Sequence, residues 1–288
     1  MSKKEEITGK LYLVGTPIGN LRDITLRAID TLKEVDLILA EDTRQTLKLL
    51  NHLEISKPQI SYHRHNEKDK IDEVRRLLDE GKQIALVSDA GMPRISDPGE
   101  ALVETLIDEG YKIEVIPGVT ALTTAIAYTN FDSDTFTFEG FLPMRPTRRR
   151  ERLESLKYET RTMVFYEAPH KILYTLKDIL KHLGERRICI ARELTKLHEE
   201  CRYSTLSEQI EEIETNGIKG EIVLIVEGNI EGESLKKEEE NEKLGIDKMT
   251  DRELVEYYVG QGMDKKEAIK KVAKERGKTK NEVYMECV

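Results

Sequence analysis

Short apolar runs alternate with helical patterns over the first 130 residues. The runs at 11–14, 36–40 and 84–88 have the length of buried strands, and residues 24–35 carry apolar side chains at helical spacing. This rhythm of strand and helix predicts an α/β lobe over residues 1–130 with a largely parallel sheet.

A second alternation of strands and helices covers residues 131–229 and predicts a second α/β lobe. Residues 230–248 are dominated by the stretch EGESLKKEEENEK, which is almost entirely charged or small and indicates a linker or a solvated helix. Over residues 249–288, Thr250 and Glu253 have capping-box spacing, and glycines separate short helical patterns in a helix-turn-helix-like layout. The fold class is therefore predicted to be α/β, with two lobes and a small C-terminal helical module.

Charge and cysteine content narrow the class of protein. The 288 residues include 46 basic and 55 acidic side chains, and the net charge of -9 argues against nucleic-acid binding driven by total charge. No apolar run approaches the roughly 20 residues of a membrane helix, and the polar N-terminal segment shows no secretory signal. Three widely spaced cysteines exclude a disulfide scaffold and a four-thiolate zinc site, so we expect a protein of the reducing cytoplasm.

Four loops rich in glycine or proline follow predicted strands, at residues 15–20, 88–99, 117–120 and 167–170. Ligands of open parallel sheets bind beyond the carboxyl ends of the strands, and glycine lets backbone N–H groups come close to a ligand. Each loop alone is more typical of a tight strand-to-helix turn, but four in two neighbouring lobes favour a ligand cleft. They contain neither GxxxxGK[ST] nor GxGxxG, which disfavours a nucleoside triphosphate and gives little support to a nucleotide redox cofactor.

Other chemistry finds less support in the residues. His63 and His65 are predicted to share a strand face, but no HExxH motif or Cys/His cluster is present, so no metal site is predicted. The segment that contains them either lines a cleft or is the solvated end of a strand. No GxSxG element of a hydrolytic triad occurs. Residues 41–44 (EDTR) begin a helix: either they form an acidic first turn that suits the helix dipole, or Asp42 and Arg44 contact substrate at the cleft rim.

Basic residues cluster twice on this acidic chain. Residues 145–152 hold five arginines against one glutamate, and residues 248–280 hold ten basic against six acidic side chains. Such stretches are often solvated helices, but beside a ligand cleft and a helix-turn-helix-like tail they also fit contacts with a polyanion.

Seven sequence blocks, in this order, resemble a single family. They are LVGTPIGNLRDITLRA from Leu13, EDTR from Glu41, SDAGMPRISDPG from Ser88, GFLP from Gly140, FYEAPH from Phe165, ARELTK from Ala191 and GEIVLIVEG from Gly220. The chain resembles the bacterial 16S ribosomal RNA (cytidine-2'-O)-methyltransferases, within the tetrapyrrole-methylase-like (class III) S-adenosylmethionine-dependent enzymes. The resemblance covers roughly residues 10–228 together with the helical tail.

The resemblance implies two α/β lobes with S-adenosylmethionine in the cleft between them, a homodimer, and 16S rRNA as the partner, within the 30S subunit. The residues that match the family's donor-binding positions are Gly15, Pro17, Asp89, Ala90, Gly91, Ile95, Thr120, Ala121, Glu167 and Leu194. The implied reaction transfers a methyl group to the ribose 2'-hydroxyl of a decoding-centre cytidine.

A free 2'-hydroxyl is a poor nucleophile at neutral pH, so a base or hydrogen-bond acceptor should assist it. Asp42 and His170 are the candidates, because both open predicted helices beside cleft loops. The residues expected to contact RNA are Arg44, Arg145, Arg148, Arg149 and Arg150. The arginines of the 145–152 cluster and the helical tail are expected to bind phosphates.

Two other functions remain open. One is a methylase of a corrinoid or porphyrin ring, although such relatives usually begin with a GxGPGD-like loop and lack a helical tail. The other is a non-catalytic RNA-binding protein that senses S-adenosylmethionine.

Overall fold

The computed structural model describes residues 9–232, 234–236 and 248–287. These residues divide into two compact units: the first holds residues up to 157 and residues 161–228, and the second holds residues 158–160 and the described residues from 229 onward. Most of the stretch predicted as a charged linker, 230–248, lies outside the described residues.

The first unit begins with a parallel sheet. Its strands are β1 (Lys10–Val14), β2 (Leu37–Ala40), β3 (Gln59–Ser61), β4 (Gln83–Val87) and β5 (Lys112–Ile116). Its helices are α1 (Leu26–Glu34), α2 (Thr43–His52), α3 (Glu67–Asp79), α4 (Glu100–Asp108) and α5 (Ala121–Tyr128). The strand order is β3-β2-β4-β1-β5, with parallel pairing throughout, which confirms the predicted parallel sheet.

Both faces of this sheet are buried. Along β2, Leu37 and Leu39 pack into one apolar cluster while Ile38 and Ala40 pack into another. A parallel sheet covered by helices on both faces needs such continuous apolar strands, and for this reason β2 reads as an unbroken apolar run.

A second sheet follows in the same unit, and its strand directions are mixed. Its strands are β6 (Phe136–Gly140), β7 (Thr162–Glu167), β8 (Arg187–Arg192), β9 (Glu200–Thr205) and β10 (Ile222–Val226). Its helices are α6 (Pro146–Ser155), α7 (Ile172–Leu183) and α8 (Leu206–Asn216). The order is β6-β7-β10-β8-β9, where β6 and β7 are parallel and the other neighbours are antiparallel.

The two lobes share an apolar core. Ala125 and Ile126 of α5 pack in one cluster with Val223 and Ile225 of β10. Each predicted lobe is one sheet with its helices, and the shared packing joins the two lobes into one compact unit.

The second unit contains α9 (Asp251–Gly260), α10 (Lys265–Glu275) and α11 (Lys280–Cys287). The predicted capping box is present: the Thr250 hydroxyl accepts a hydrogen bond from the Glu253 backbone N–H, and the Glu253 carboxylate accepts one from the Thr250 backbone. Leu254, Val272 and Val283, one from each helix, lie in its apolar core. Over the described residues, no helix combines the length and apolar character needed to cross a bilayer.

Candidate active site

Three loops of the first lobe meet because β4, β1 and β5 are adjacent and parallel, so that their carboxyl ends lie at one edge of the sheet. Thr16 after β1 and Gly91 after β4 exchange backbone hydrogen bonds of 2.9 and 3.1 Å. The Gly15 N–H donates to the Ile116 carbonyl at the end of β5, at 3.0 Å. The predicted convergence of these loops thus has a direct topological cause.

Gly15 is required by close packing of backbone. A Cβ at Gly15 would lie 2.7 Å from the Gly118 Cα, and a Cβ at Gly118 would lie 3.0 Å from the Gly15 Cα. The loops after β1 and β5 can touch only because both positions lack a side chain.

The second lobe offers the corresponding edge of its sheet. Glu167 at the end of β7 and Arg192 at the end of β8 both pair with Ile222 at the beginning of the antiparallel β10. The residues after β7, after β8 and before β10 therefore lie together.

A cavity of about 350 Å³ lies among these loops, a size within the range of small-molecule sites. The predicted donor-binding residues that line it are Ala90, Gly91, Ile95, Thr120, Ala121, Glu167 and Leu194. Gly91 has a φ angle of 80°, a left-handed backbone conformation that favours glycine, so the turn at this part of the wall is accessible without strain. The lining is mostly apolar, with the carboxyl groups of Asp97, Glu167 and Glu221 among it, so a small ligand with both apolar and polar groups fits this space.

Three predicted donor-binding residues support the loops from outside the lining. Gly15 makes the backbone contact described above, and Pro17 is buried in the same loop. The Asp89 carboxylate accepts a hydrogen bond from the Asp42 backbone N–H at 3.0 Å.

Sequence reasoning missed several lining residues, among them Ser96, Asp97, Phe141 and Tyr166. Each of them lies inside one of the seven family-like blocks, so membership of a block was the sequence feature that could have indicated these residues. Which side chain of a block faces the cavity depends on loop geometry: Arg94 and Ser96 adopt positive φ angles of 72° and 67°, a conformation that few non-glycine residues take. Backbone strain of this kind is concentrated at binding sites.

The carboxyl group of Asp97, which lines the cavity, has a raised pKa. Burial, reinforced by the negative charges of Glu41 and Asp89, raises the pKa of Asp97 to about 7. The Ser88 hydroxyl and the Arg64 guanidinium oppose this shift in pKa. Arg64 also donates a hydrogen bond to the Ser96 carbonyl.

Asp42 is the N-cap of α2, and its carboxylate accepts hydrogen bonds from the Arg44 backbone at 2.8 Å and from the Arg44 guanidinium at 2.6 Å. The hydrogen bonds from Arg44 lower the pKa of Asp42 to about 2, which makes it a weak proton acceptor. Neither Asp42 nor Arg44 is among the residues that line the cavity.

His170 is exposed in the turn before α7 and is not among the lining residues. The N-cap of α7 is Lys171, one residue later. The structure therefore brings neither sequence-predicted base to the cavity wall.

Glu167 is fixed by a buried chain of hydrogen bonds. Its Oε1 accepts from the Ala168 N–H at 2.9 Å, and its Oε2 accepts from the Thr175 hydroxyl at 2.5 Å. The Thr175 Oγ1 in turn accepts from Arg149 Nη2 at 2.7 Å, while Arg149 Nε donates to Asp178 at 2.6 Å.

This network corrects the prediction for Arg149. Arg149 is only 6% exposed, and its guanidinium is bound to Asp178 and Thr175, so it is not available to RNA phosphates. Arg148 and Arg150 on the same helix and Arg145 at its N-cap are exposed. Arg150 lies 3.6 Å from Glu154, whereas Arg145 and Arg148 have no ion-pair partner among the described residues.

His63 and His65 contact each other with ring centroids 5.9 Å apart and do not line the cavity. The two histidines do not share a strand, because β3 ends at Ser61: Asn66 turns the chain by accepting from the His63 N–H and donating to the Ser61 carbonyl. Within the described parts of the chain, no group of three or more His, Cys, Asp or Glu side chains is arranged to hold a metal ion.

Residues 10–210 match the family model of the tetrapyrrole (corrin/porphyrin) methylases. The ribosomal RNA small subunit methyltransferase I of Halalkalibacterium halodurans is 48% identical over 279 residues, covering 96% of this chain and 93% of the relative. The protein of that name from Thermotoga maritima is 53% identical over 220 residues, covering 76% of this chain and 99% of its own length.

Among solved structures, the uroporphyrin-III C-methyltransferase of Thermus thermophilus complexed with S-adenosylhomocysteine has a TM-score of 0.56. Its sequence identity is 20%, over 76% of this chain and 97% of that one. This similarity shows that the two α/β lobes have the fold of that enzyme.

Proposed function

Because the chain belongs to the tetrapyrrole (corrin/porphyrin) methylase family, we propose that it methylates small-subunit ribosomal RNA with S-adenosylmethionine as the donor. The observation that carries this proposal is the 48% identity to a ribosomal RNA methyltransferase over 96% of the chain, a span that takes in both lobes and the helical unit. We further propose the finer assignment that the acceptor is the ribose 2'-hydroxyl of a decoding-centre cytidine in 16S rRNA.

The cavity fits the donor in size and in lining. Backbone of Ala90 and Gly91, the side chains of Thr120 and Leu194, and the fixed carboxylate of Glu167 would hold it. When bound, S-adenosylmethionine supplies a methyl group on a sulfonium, which is already a good leaving group. The work left to the protein is to align the acceptor oxygen with that methyl group and to keep water out.

The exposed arginines of α6 supply the electrostatic contact with RNA. Arg145 at the N-cap of α6, with Arg148 and Arg150 in its first turns, follows the cavity-lining Phe141 closely in the chain, which supports RNA binding on this side of the cavity. Arg44, whose side chain is 87% exposed, is a further candidate contact. RNA enzymes of this kind reach single-stranded or splayed nucleotides rather than paired ones.

The deciding experiment measures transfer of radiolabelled methyl groups to 30S subunits from cells that lack this modification. Free 16S rRNA and a porphyrinogen serve as the alternative acceptors. Label in 30S subunits that is recovered as 2'-O-methylcytidine supports the proposal. Label in the porphyrinogen points to the ring-methylase alternative, and binding without any transfer points to a sensor.

Two finer points are tested in the same assay. Preference for 30S subunits over free 16S rRNA tests the assembled substrate, and light scattering of the purified protein tests the proposed homodimer. Asp42→Ala and His170→Ala test the two sequence-predicted bases: wild-type turnover with unchanged donor affinity excludes each as the base.

A further inference from the structure

Part of the cavity wall has no role in the proposed binding of the donor. It consists of Asp97, Tyr166 and Phe141, which no donor-binding position of the sequence covers. The Tyr166 and Phe141 rings are 5.7 Å apart in an edge-on contact, and Asp97 lines the same cavity. Burial, with a smaller effect from the negative charge of Asp97, raises the pKa of Tyr166.

The wall is continuous with the side from which RNA would approach. A Cβ placed on Gly140 would lie 3.2 Å from the Ser96 Oγ, so the end of β6 abuts the loop that carries Asp97. The next residue, Phe141, is 57% exposed, and α6 with its arginines begins at Pro146. An exposed aromatic ring at the mouth of a cavity is a suitable platform for an unstacked base.

Asp97 is suited to exchange a proton at neutral pH. The groups that face it are Glu41, Asp89, Arg64, Ser88 and Tyr166. With a pKa of about 7, its carboxylate is partly populated at physiological pH and is more basic than an ordinary aspartate. A general base is most effective when its pKa lies near the working pH.

We propose that Asp97, Tyr166 and Phe141 form the subsite for the acceptor nucleotide and that Asp97 is the general base of the reaction. This inference rests on the proposed function. The Asp97 carboxylate takes the proton of the 2'-hydroxyl, and the electron pair of that O–H bond stays on oxygen. The oxygen forms the new bond to the methyl carbon, while the electron pair of the S–CH₃ bond leaves with sulfur, so that a sulfonium becomes a thioether.

The test compares Asp97→Asn with the wild type in single-turnover methylation of 30S subunits between pH 5.5 and 9. The wild-type rate should fall about tenfold per pH unit below pH 7 and level off above it. Asp97→Asn should be about 10²- to 10⁴-fold slower, and its residual rate should lack this acidic limb. Calorimetry should show the affinity for S-adenosylmethionine unchanged within about threefold, and Asp108→Asn, an exposed aspartate on α4, should behave as wild type in both assays.

Glu41→Gln gives a second test that leaves Asp97 in place. Removing the Glu41 charge should stabilise the Asp97 carboxylate and shift the acidic limb to lower pH, with the plateau rate retained. An Asp97→Asn rate within threefold of wild type, an acidic limb that persists in that variant, a loss of donor affinity that explains its rate, or an unshifted limb in Glu41→Gln would each overturn the inference. A wild type that transfers no methyl group to ribose would instead refute the proposed function.

Discussion

Asp97 shows how one residue can lower stability at the site that uses it. Its pKa is raised in the folded protein, so the folded state binds more protons than the unfolded chain between about pH 4 and pH 7. The free energy of unfolding therefore decreases as the pH rises through this window and Asp97 loses its proton. Above pH 7 the Asp97 side chain is charged and buried, and its destabilising effect is complete.

Asp97→Asn should accordingly make the protein more stable at alkaline pH. We expect the free energy of unfolding to rise by about 1–3 kcal/mol at pH 8 and by less at pH 5. Urea unfolding at the two pH values measures this difference. An equal gain, or an equal loss, at both values would contradict the raised pKa.

Gly15 tests the backbone contact that brings two loops of the first lobe together. In Gly15→Ala the new methyl group would meet the Gly118 Cα and the Met92 Sδ, each at 2.7 Å, and backbone cannot move aside without opening the loops. We expect a loss of about 2 kcal/mol in the free energy of unfolding and weaker binding of S-adenosylmethionine. Gly260→Ala, where no atom lies within 4 Å of the added carbon, should leave donor binding unchanged.

At the scale of elements, α6 has one face that packs into the protein and one face that is exposed to solvent, and each carries arginine. Arg149 faces inward and holds Thr175, the residue that fixes the cavity carboxylate Glu167, while Arg148 faces solvent. The sequence pattern predicts the same exposed position for both arginines, because a run of charged residues is typical of a solvated face. The network that separates them requires α7 to lie alongside α6, which no local pattern reveals.

The two arginines should therefore separate stability from RNA binding. Arg149→Met leaves Asp178 without its partner and should lower the free energy of unfolding by about 2–3 kcal/mol and weaken donor binding. Arg148→Met should change stability by less than about 0.5 kcal/mol but should reduce RNA affinity and its dependence on salt. Thermal unfolding and filter binding at several salt concentrations measure both effects; a stable Arg149→Met or a salt-insensitive Arg148 contact would contradict this division.

Most elements could be predicted from the sequence, because their signals are local. Strand β10 is an uninterrupted apolar run, and Thr250 with Glu253 marks a helix start by side-chain chemistry alone. Strand direction is different: an apolar run such as β10 is compatible with parallel or antiparallel neighbours, so the mixed second sheet was not predictable. The cavity wall around Asp97 was not predictable for two reasons. Tyr166 reaches it from the second sheet, and Asp97 itself is oriented by a loop in which Arg94 and Ser96 have positive φ angles.

At the scale of the whole molecule, the chain carries a net charge of -9, whereas the proposed substrate is a polyanion. Positive charge is therefore concentrated locally, on α6 in the first unit and on α10 in the second. On α10 the residues Ala268, Ile269 and Val272 are buried, and the exposed lysines are Lys265, Lys266, Lys270 and Lys274. If both units bind one RNA, as we propose, their contributions to its affinity combine without a change at the cavity.

Replacing these four lysines by alanine should weaken binding to 30S subunits and leave methyl transfer at saturating RNA unchanged. If each lysine neutralises one phosphate, the slope of log affinity against log salt should decrease in magnitude by about 3. The control replaces the exposed lysines Lys33, Lys48, Lys68 and Lys112 of the first unit, which changes net charge equally. An equal loss of affinity in the control would mean that total charge governs binding, and a lower rate at saturating RNA would mean that the helical unit also acts at the reacting nucleotide.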